Sequence, residues 1–214
     1  MPTSISDIRK EYKLQSLNES DLSKDAMEQF EKWWDEALNS KLDEVNAMTL
    51  ATADAKAMPS ARIVLLKSFD KHGFSFFTNY QSRKGRELAE NPYASLVFFW
   101  KELERQVRIT GGVSKLDASL SDVYFGSRPT DSKIGAWSSP QSEVIPNRDI
   151  LEENFLEYAG KFADGAIVRP DYWGGYLVKP GEIEFWQGRP GRLHDRILYT
   201  IDDNGQYRIE RLAP

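Results

Sequence analysis

The chain of 214 residues contains no cysteine and only two histidines, His72 and His194. The missing thiols exclude disulfides, thiolate metal sites and cysteine nucleophiles. Two histidines are too few for a histidine-rich metal site, so we expect no metal. No apolar run approaches the roughly 20 residues of a membrane helix, and the first residues lack the apolar core of a signal peptide. A cytoplasmic location is therefore expected.

Positive charge is in the minority, because 28 lysines and arginines stand against 33 acidic residues and leave a net charge of −5. Proteins that bind nucleic acid usually carry a basic domain or stripe, so this balance argues against that class. The sequence also lacks the glycine-rich motif of dinucleotide-binding folds and the phosphate-binding loop of nucleoside triphosphatases. Clusters of cations in a chain that is acidic overall need an explanation, and the binding of an anionic small molecule is the simplest explanation.

Short apolar stretches separated by turn signals dominate the chain after residue 47. They predict strands at 48–53, 61–69, 74–79, 93–100, 104–113, 173–178, 182–187, 193–201 and 207–212. Helical patterns predict helices over 5–13, 21–42, 82–91, 119–126 and 148–163, with a polar loop at 129–147. Many short strands with few helices between them favour a mainly β protein of the α+β class, an antiparallel barrel with helices packed outside. We expect a mobile segment at 1–20 and a single domain at 21–214.

Three side chains that can carry positive charge alternate near the C-terminus: Arg192, His194 and Arg196. Alternate residues of a strand point to one face, so a strand here would concentrate all three on that face. His194 would add a group that titrates near neutral pH. We interpret this positive face as a site for an anion.

A second cluster, Ser82-Arg83-Lys84, lies at the start of a predicted helix. Free backbone N–H groups, the positive end of the helix dipole and two cationic side chains would converge there. That combination suits a phosphate group. A solvated helix end is the alternative interpretation.

Two further sets of residues are open to two interpretations. Arg62 and Lys67 bracket an apolar strand, but strand parity places them on opposite faces, so one cavity holds both only if a bulge or a second subunit intervenes. Tyr124 and Arg128 share a helix face that ends near Ser132. A phenol, a guanidinium and a hydroxyl together suit a phosphate monoester. The alternative for Arg62 and Lys67 is strand ends that reach solvent, and the alternative for the Tyr124 set is unrelated polar residues on the surface.

Two single residues suit a flat ligand. Gln106, on one face of a predicted strand, could hydrogen-bond the edge of a heterocycle or satisfy a neighbouring backbone group. Trp186 could stack on a ring or fill the core. The sequence leaves both alternatives open.

In sequence order, these features resemble the pyridoxamine 5'-phosphate oxidase family of flavin enzymes. The resemblance covers most of the chain after residue 60 and includes the early run Arg9-Lys-Glu-Tyr12. The stretches that carry it are RIVLLK (62–67), FTNYQSRKG (77–85), NPYASLVFFW (91–100), LERQVRI (103–109), YFGSRPTDSKIGAWSSPQS (124–142), WGGY (173–176), IEFWQG (183–188), RLHDR (192–196) and RLAP (211–214). Together they are far more specific than any one short motif.

The resemblance implies an FMN-binding split β-barrel, in agreement with the strand pattern, and a homodimer with FMN at the subunit interface. It implies FMN contacts at Arg62, Ile63, Val64, Leu65, Leu66, Lys67, Phe77, Thr78, Arg83, Lys84, Gln106, Gln141, Ser142, Trp186 and Arg196. It implies substrate contacts at Arg9, Lys10, Glu11, Tyr12, Lys67, Tyr124, Arg128, Ser132, Arg192, Leu193 and His194. The early residues of that set would close as a lid, and Arg192 and His194 would be the catalytic residues.

Two residues depart from the pattern of the family. Phe77 stands where the family often has Tyr, so a contact through a side-chain hydroxyl is lost there. Lys10 stands where the family often has Arg, which keeps the charge but not the fork geometry of a guanidinium. Neither departure touches the main set of motifs.

The activity that the resemblance implies is oxidation of pyridoxamine or pyridoxine 5'-phosphate to pyridoxal 5'-phosphate. O2 would accept the electrons and give H2O2, and the amine substrate would also release NH3. A split-barrel flavin reductase, or a protein that binds FMN or pyridoxal phosphate without catalysis, is the alternative. The presence of both the Tyr124 set and RLHDR favours the oxidase, because those residues have no task in merely holding FMN.

Overall fold

The computed structural model describes residues 4–8, 10–202 and 204–214. Its helices are α1 (Ala26–Asn39), α2 (Arg83–Glu90), α3 (Ala118–Ser127), α4 (Thr130–Ser138) and α5 (Asp149–Lys161). Its strands are β1 (Ala47–Ala53), β2 (Pro59–Leu65), β3 (Ser68–Asp70), β4 (Gly73–Asn79), β5 (Tyr93–Trp100), β6 (Arg105–Lys115), β7 (Trp173–Gln187), β8 (Asp195–Ile201) and β9 (Tyr207–Arg211). Arg9, which we expect in a lid, lies outside the described residues.

The nine strands of the described ranges belong to one sheet. Its hydrogen-bonded path runs β2-β1-β5-β6-β7-β4-β3, with β8 beside β7 and β9 beside β8. The ladders β3–β4, β4–β7, β7–β8 and β8–β9 are antiparallel. The predicted mainly β, α+β class is therefore confirmed.

Strand β7 corrects one prediction, because the sequence indicated two strands at 173–178 and 182–187. The structure has a single strand that runs through Pro180. The first part of β7 pairs with β4 as far as Val178, and the second part pairs with β8 from Glu182 onward. Pro180 lies between these two ladders, so its missing N–H group interrupts neither.

The chain folds as two compact units, each built from separate stretches of sequence. The first unit comprises Met1–Thr49, Ser95–Thr110 and Pro180–Pro214, and the second comprises Leu50–Ala94 and Gly111–Lys179. The expected boundary at residue 20 and the expected single domain stay predictions. Within the ranges that the structure describes, none of the helices has the length and apolarity needed to cross a membrane.

The core of the first unit forms around α1. Asp25 caps this helix by accepting a backbone N–H of its first turn at 2.7 Å, and Phe30 and Trp33 recur on its buried face. The ring of Phe30 lies 5.4 Å from that of Phe98, and the ring of Trp33 lies 5.2 Å from that of Phe185. The predicted amphipathic helix at 21–42 is thus present but shorter, because it begins after its cap at Asp25 and ends at Asn39.

The second unit contains the β4–β7 ladder and the four helices α2 to α5. Phe76 pairs with Tyr176 across the ladder, and their rings are 5.6 Å apart. Ser82 caps α2 as the sequence predicted, since its hydroxyl accepts the N–H of Gly85. This cap fixes the helix start that carries Arg83 and Lys84.

The loop predicted at 129–147 is wrong in its first part, where the structure has α4. Pro129 directly precedes the helix, and its restricted φ angle suits a helix start. Only Ile134 and Ser138 are buried in this helix, so the sequence shows almost no hydrophobic periodicity. The helix predicted at 5–13 is also wrong, because the described residues there form only a single 3-10 turn at Ile5–Asp7.

Gly85 offers a test of the packing that positions α2. A Cβ atom added at Gly85 would lie 2.1 Å from the carbonyl oxygen of Tyr80, whereas one added at Gly126 of α3 meets nothing within 4 Å. We expect Gly85→Ala to lower the free energy of unfolding by about 1–3 kcal/mol, because the backbone must shift to relieve the clash. Gly126→Ala is the matched control and should leave stability unchanged or slightly higher. Urea unfolding of both variants checks this, and equal stability of the two would contradict it.

Candidate functional site

A cavity of about 510 Å³ in the second unit gathers many of the predicted site residues. Its walls come from β2, β4, the start of α2 and the α3–α4 junction. It is lined by Arg62, Ile63, Val64, Leu65, Lys67, Phe77, Thr78, Lys84, Tyr124, Arg128, Pro129, Ser132, Gln141 and Trp173. We name this space the phosphate cavity. The predicted flavin-side set and the predicted substrate-phosphate set both contribute to its walls.

The parity argument for Arg62 and Lys67 is wrong, because both side chains line the phosphate cavity. Strand β2 ends at Leu65, and the N–H of Lys67 donates to the carbonyl of Ser75 on β4 at 2.9 Å. The alternation of a strand therefore does not extend to Lys67. Leu66, between them, is buried in the core.

Lys84 is the buried cation of this cavity. Its Nζ atom lies 3.1 Å from Thr78 Oγ1, 2.9 Å from Gln141 Oε1 and 3.4 Å from Ser82 Oγ. These hydrogen-bond partners are neutral oxygens. Burial first, and then the nearby Arg62 guanidinium, lower the pKa of Lys84 to about 8 despite the opposing charge of Glu87. An ammonium group that is buried without a contacting carboxylate attracts an anion.

Arg128 is a second buried cation in this cavity. It ends α3 as the sequence predicted, and its guanidinium lies 4.6 Å from the ring of Trp173. Among the described residues, its NH1 atom is buried and has no hydrogen-bond partner. Burial lowers the pKa of Arg128, although the nearby Tyr124 opposes this shift. A phosphate oxygen would supply the missing acceptor, with Ser132 in the first turn of α4 lining the same cavity.

A stack of aromatic rings supports this part of the cavity. The ring of Phe77 lies 4.0 Å from that of Tyr124 and 5.6 Å from that of Trp173, nearly parallel to both. Lys67 Nζ lies 5.9 Å from the ring of Tyr124. Phe77 thus holds Tyr124 by ring contact, which requires no hydroxyl at this position.

A cavity of about 590 Å³ in the first unit collects a different set of predicted residues. It is lined by Ile8, Lys10, Glu11, Tyr12, Arg189, Gly191, Arg192 and His194. The ring of Tyr12 lies 5.6 Å from Trp186 and 5.9 Å from His194, and Trp186 lies 4.6 Å from His194. Leu193 is mostly exposed. The lid residues and the catalytic residues expected from sequence are therefore neighbours.

The segment that carries Tyr12 is held by a buried carboxylate. Glu104 accepts the backbone N–H groups of Lys13 and Leu14 at 2.8 and 3.1 Å, and Lys10 Nζ lies 3.4 Å from its other oxygen. Burial alone would raise the pKa of Glu104, but these hydrogen bonds lower it below its ordinary value. The ion pair of Lys10 with Glu104 therefore helps to hold the segment that carries Tyr12.

The single positive face predicted for Arg192, His194 and Arg196 is wrong. Strand β8 begins only at Asp195, and Arg192 lies in a 3-10 turn with a φ angle of 63°. Arg196 instead forms a two-fold ion pair with Glu184, at 2.8 and 3.2 Å. Only Arg192 and His194 share the cavity of the first unit.

His194 is held as a hydrogen-bond acceptor at one ring nitrogen. The backbone N–H of Arg189 donates to His194 Nδ1 at 3.1 Å, so the neutral ring carries its proton on Nε2. Burial, followed by the charge of Arg192, lowers the pKa of His194, while Asp195 opposes the shift. At neutral pH the ring is therefore a neutral donor through Nε2.

The remaining predicted residues occupy more scattered positions. Gln106 is half-buried on β6, on the same face as the exposed Arg108. Ser142 is exposed and has a φ angle of 73°. The guanidinium of Arg83 is largely exposed but pairs with Glu87 at 2.8 Å.

Sequence reasoning missed three buried carboxylates, Glu87, Glu104 and Glu184. Each contacts at least one cation among the predicted site residues. The only signal was local: Glu87 follows Arg83 by four residues on a helix, and Glu184 stands beside core residues in IEFWQ. The spacing of Glu87 indicates an ion pair with Arg83 but not burial, whereas the neighbours of Glu184 indicate burial but not a partner.

The chain is a mainly β protein whose second unit contains a cavity lined by the cations Arg62, Lys67, Lys84 and Arg128. Comparisons with known proteins give the family. Residues 34–161 match the family model described as pyridoxamine 5'-phosphate oxidase, and residues 173–214 match the pyridoxine 5'-phosphate oxidase C-terminal dimerisation region. The chain belongs to the pyridoxamine 5'-phosphate oxidase family, and its fold is the split β-barrel of that family.

Individual relatives agree with this assignment. The chain is 55% identical to the pyridoxine/pyridoxamine 5'-phosphate oxidase of Nostoc punctiforme, with complete coverage of both chains. It is 54% identical to that of Cupriavidus necator, over 99% of this chain and 100% of the relative. Among solved structures, PhzG from Burkholderia lata in complex with tetrahydrophenazine-1-carboxylic acid matches with a TM-score of 0.86 and 31% identity, over 91% and 95% of the two chains. A pyridoxamine 5'-phosphate oxidase-related, FMN-binding protein from Nostoc punctiforme, at 16% identity and a TM-score of 0.69, covers 90% of this chain and 100% of its own and supports the fold.

The state of His194 can be tested by titration. In a His72→Gln variant the ring signals of His194 are the only histidine signals, so NMR can follow them across pH. We expect the midpoint to fall below that of the same variant in urea, because burial and Arg192 disfavour the charged ring. A further Arg192→Gln change should move the midpoint upward. A midpoint at or above that of the unfolded chain would contradict the neutral-donor state.

Proposed function

We propose that this chain oxidises pyridoxamine 5'-phosphate and pyridoxine 5'-phosphate to pyridoxal 5'-phosphate with FMN as cofactor. O2 takes the electrons and is reduced to H2O2, and with the amine substrate water hydrolyses the resulting imine to the aldehyde and NH3. The observation that carries the proposal is the phosphate cavity, where Lys84 is buried among neutral oxygens and Arg128 NH1 has no partner in the part of the chain that the structure describes. Family membership supplies the reaction class.

The phosphate cavity has the chemistry for two phosphate groups. In the proposal Arg62, Arg83 and Lys84 bind the phosphate of FMN near the start of α2, where the helix dipole also favours an anion. Arg128 donates a hydrogen bond from NH1 to the substrate phosphate, which Tyr124, Ser132 and Lys67 also bind. FMN, when bound, supplies the two-electron chemistry that the protein side chains lack. The protein positions the reactants and places positive charge where both phosphates require it.

The two cavities lie in separate units of the chain, and the proposal joins them through a second subunit. Residues 173–214 match a dimerisation region, and they include Trp186, Arg192, His194 and Arg196. We propose a homodimer in which these residues serve an FMN site at the subunit interface. Arg192 then contacts the substrate ring as a cation, and His194 donates a hydrogen bond from Nε2.

The segment of Tyr12, held by Glu104, closes over the substrate and limits access of water. A cytoplasmic location is part of the proposal and rests on the type of enzyme.

Spectroscopy of the flavin tests the proposed reaction. The purified protein, saturated with FMN under anaerobic conditions, should lose its visible flavin absorption when pyridoxine 5'-phosphate is added. Air should restore the band, with one pyridoxal 5'-phosphate formed per turnover. A bound flavin that stays oxidised would reject the substrate and favour a flavin reductase, which a nicotinamide donor would then reveal. A protein that binds no FMN would reject the proposal as a whole.

A further inference from the structure

Glu87 is a buried carboxylate among the cations of the second unit, and neither the family motifs nor the proposed chemistry assigns it a task. It lies on α2 and is 4% exposed. Its Oε1 atom accepts from Arg83 Nε at 2.8 Å, and its Oε2 atom lies 3.3 Å from Arg62 NH2. A single carboxylate thus contacts both arginines that the proposed function places at the phosphate of FMN.

The contacts fix the orientation of Arg62 in particular. Glu87 Oε2 also accepts the hydroxyls of Ser60, at 2.6 Å, and Thr52, at 2.5 Å. The same two hydroxyls accept from the Arg62 guanidinium, and the carbonyl of Leu50 accepts from its NH1 at 3.2 Å. The guanidinium therefore has acceptors on one side, of which Glu87 is one and hydrogen-bonds to two others, the hydroxyls of Thr52 and Ser60. Its side chain still lines the phosphate cavity.

The charges of the cluster suit a phosphate monoester. Burial by itself would raise the pKa of Glu87, but hydrogen bonds from Ser60, Thr52 and Arg83 hold it at about 2, so the group is ionised at neutral pH. Arg62, Arg83 and Lys84 with one carboxylate leave two positive charges. A phosphate monoester carries roughly −1.5 to −2 at neutral pH. The cluster with its carboxylate matches that charge.

We propose that Glu87 is a positioning residue for FMN, which fixes Arg62 and Arg83 for the phosphate. The inference rests on the proposed function and deepens it. A long arginine side chain loses conformational entropy when it binds a ligand, and a side chain that is already held in place loses less. Because Glu87 holds the two arginines in the folded protein, their side-chain entropy is lost when the chain folds and not when FMN binds.

A positioning role and a simple charge effect predict opposite changes in FMN affinity when Glu87 is neutralised. If Glu87 acted only as a nearby negative charge, its neutralisation would strengthen the binding of an anion. If it positions the arginines, neutralisation weakens binding although the site becomes more positive. The direction of the change in affinity therefore separates the two roles.

The test is fluorescence titration of FMN, and separately of riboflavin, into the full-length apoprotein. Glu87→Gln keeps the shape of the side chain and removes its charge, and we expect roughly tenfold weaker FMN binding, as is common when a residue behind a ligand contact is changed. Riboflavin binding should change little, because it has no phosphate. A general loss of structure would weaken both flavins. FMN affinity equal to or tighter than that of the wild type would overturn the proposal.

Two further variants keep the test decisive. Glu90→Gln is the matched control, because it removes a negative charge from the same helix at an exposed side chain. Within the described ranges, the one side-chain hydrogen bond of Glu90 is accepted from the backbone N–H of Ala55. This variant should leave the FMN affinity unchanged. Ser60→Ala removes one hydroxyl that contacts both Glu87 and Arg62, and it should weaken FMN binding in the same direction by a smaller factor. If Glu87→Gln does not fold, unchanged FMN affinity in Ser60→Ala overturns the inference. A wild-type protein that binds no FMN would instead overturn the proposed function.

Discussion

The burial of cations without enough carboxylates to neutralise them is the constraint on which the rest of the site depends. A charged group that leaves water needs a partner, and an unpaired one costs several kcal/mol. Lys84 contacts neutral oxygens, and one guanidinium nitrogen of Arg128 has no partner among the described residues. In the proposed function, an anion in this cavity supplies the negative charge that these cations lack.

The fold meets this constraint by ending regular elements at the cavity. Strand β2 ends before Lys67, α3 ends at Arg128, and α2 begins after its Ser82 cap. At such ends, alternation and helical spacing no longer dictate direction, so charged side chains from different elements can point into one space. The aromatic contacts of Phe77 and Trp173 then fill the volume beneath them.

The sequence predicted the elements that have strong periodicity and failed where periodicity is weak or ends. Alternation and capping are local features, so the sequence could predict the cap of α2 and the strands at 48–53, 74–79 and 93–100. The helix α4 was not, since Ile134 and Ser138 are its only buried residues. The grouping of Arg62 with Lys67, and the separation of Arg196 from Arg192, depend on where a strand ends. Those end points are set by pairing with distant strands, which a single sequence does not display.

The most direct test of the phosphate cavity compares phosphorylated and unphosphorylated substrates. In the wild-type protein loaded with FMN, kcat/KM for pyridoxine 5'-phosphate should far exceed that for pyridoxine. Arg128→Leu should remove at least about tenfold of this preference, because a hydrogen bond to a charged group contributes about 1.5–3 kcal/mol, while pyridoxine turnover stays nearly unchanged. A preference that persists in Arg128→Leu, or its absence in the wild type, would contradict the assignment of the unpaired cations to phosphate binding.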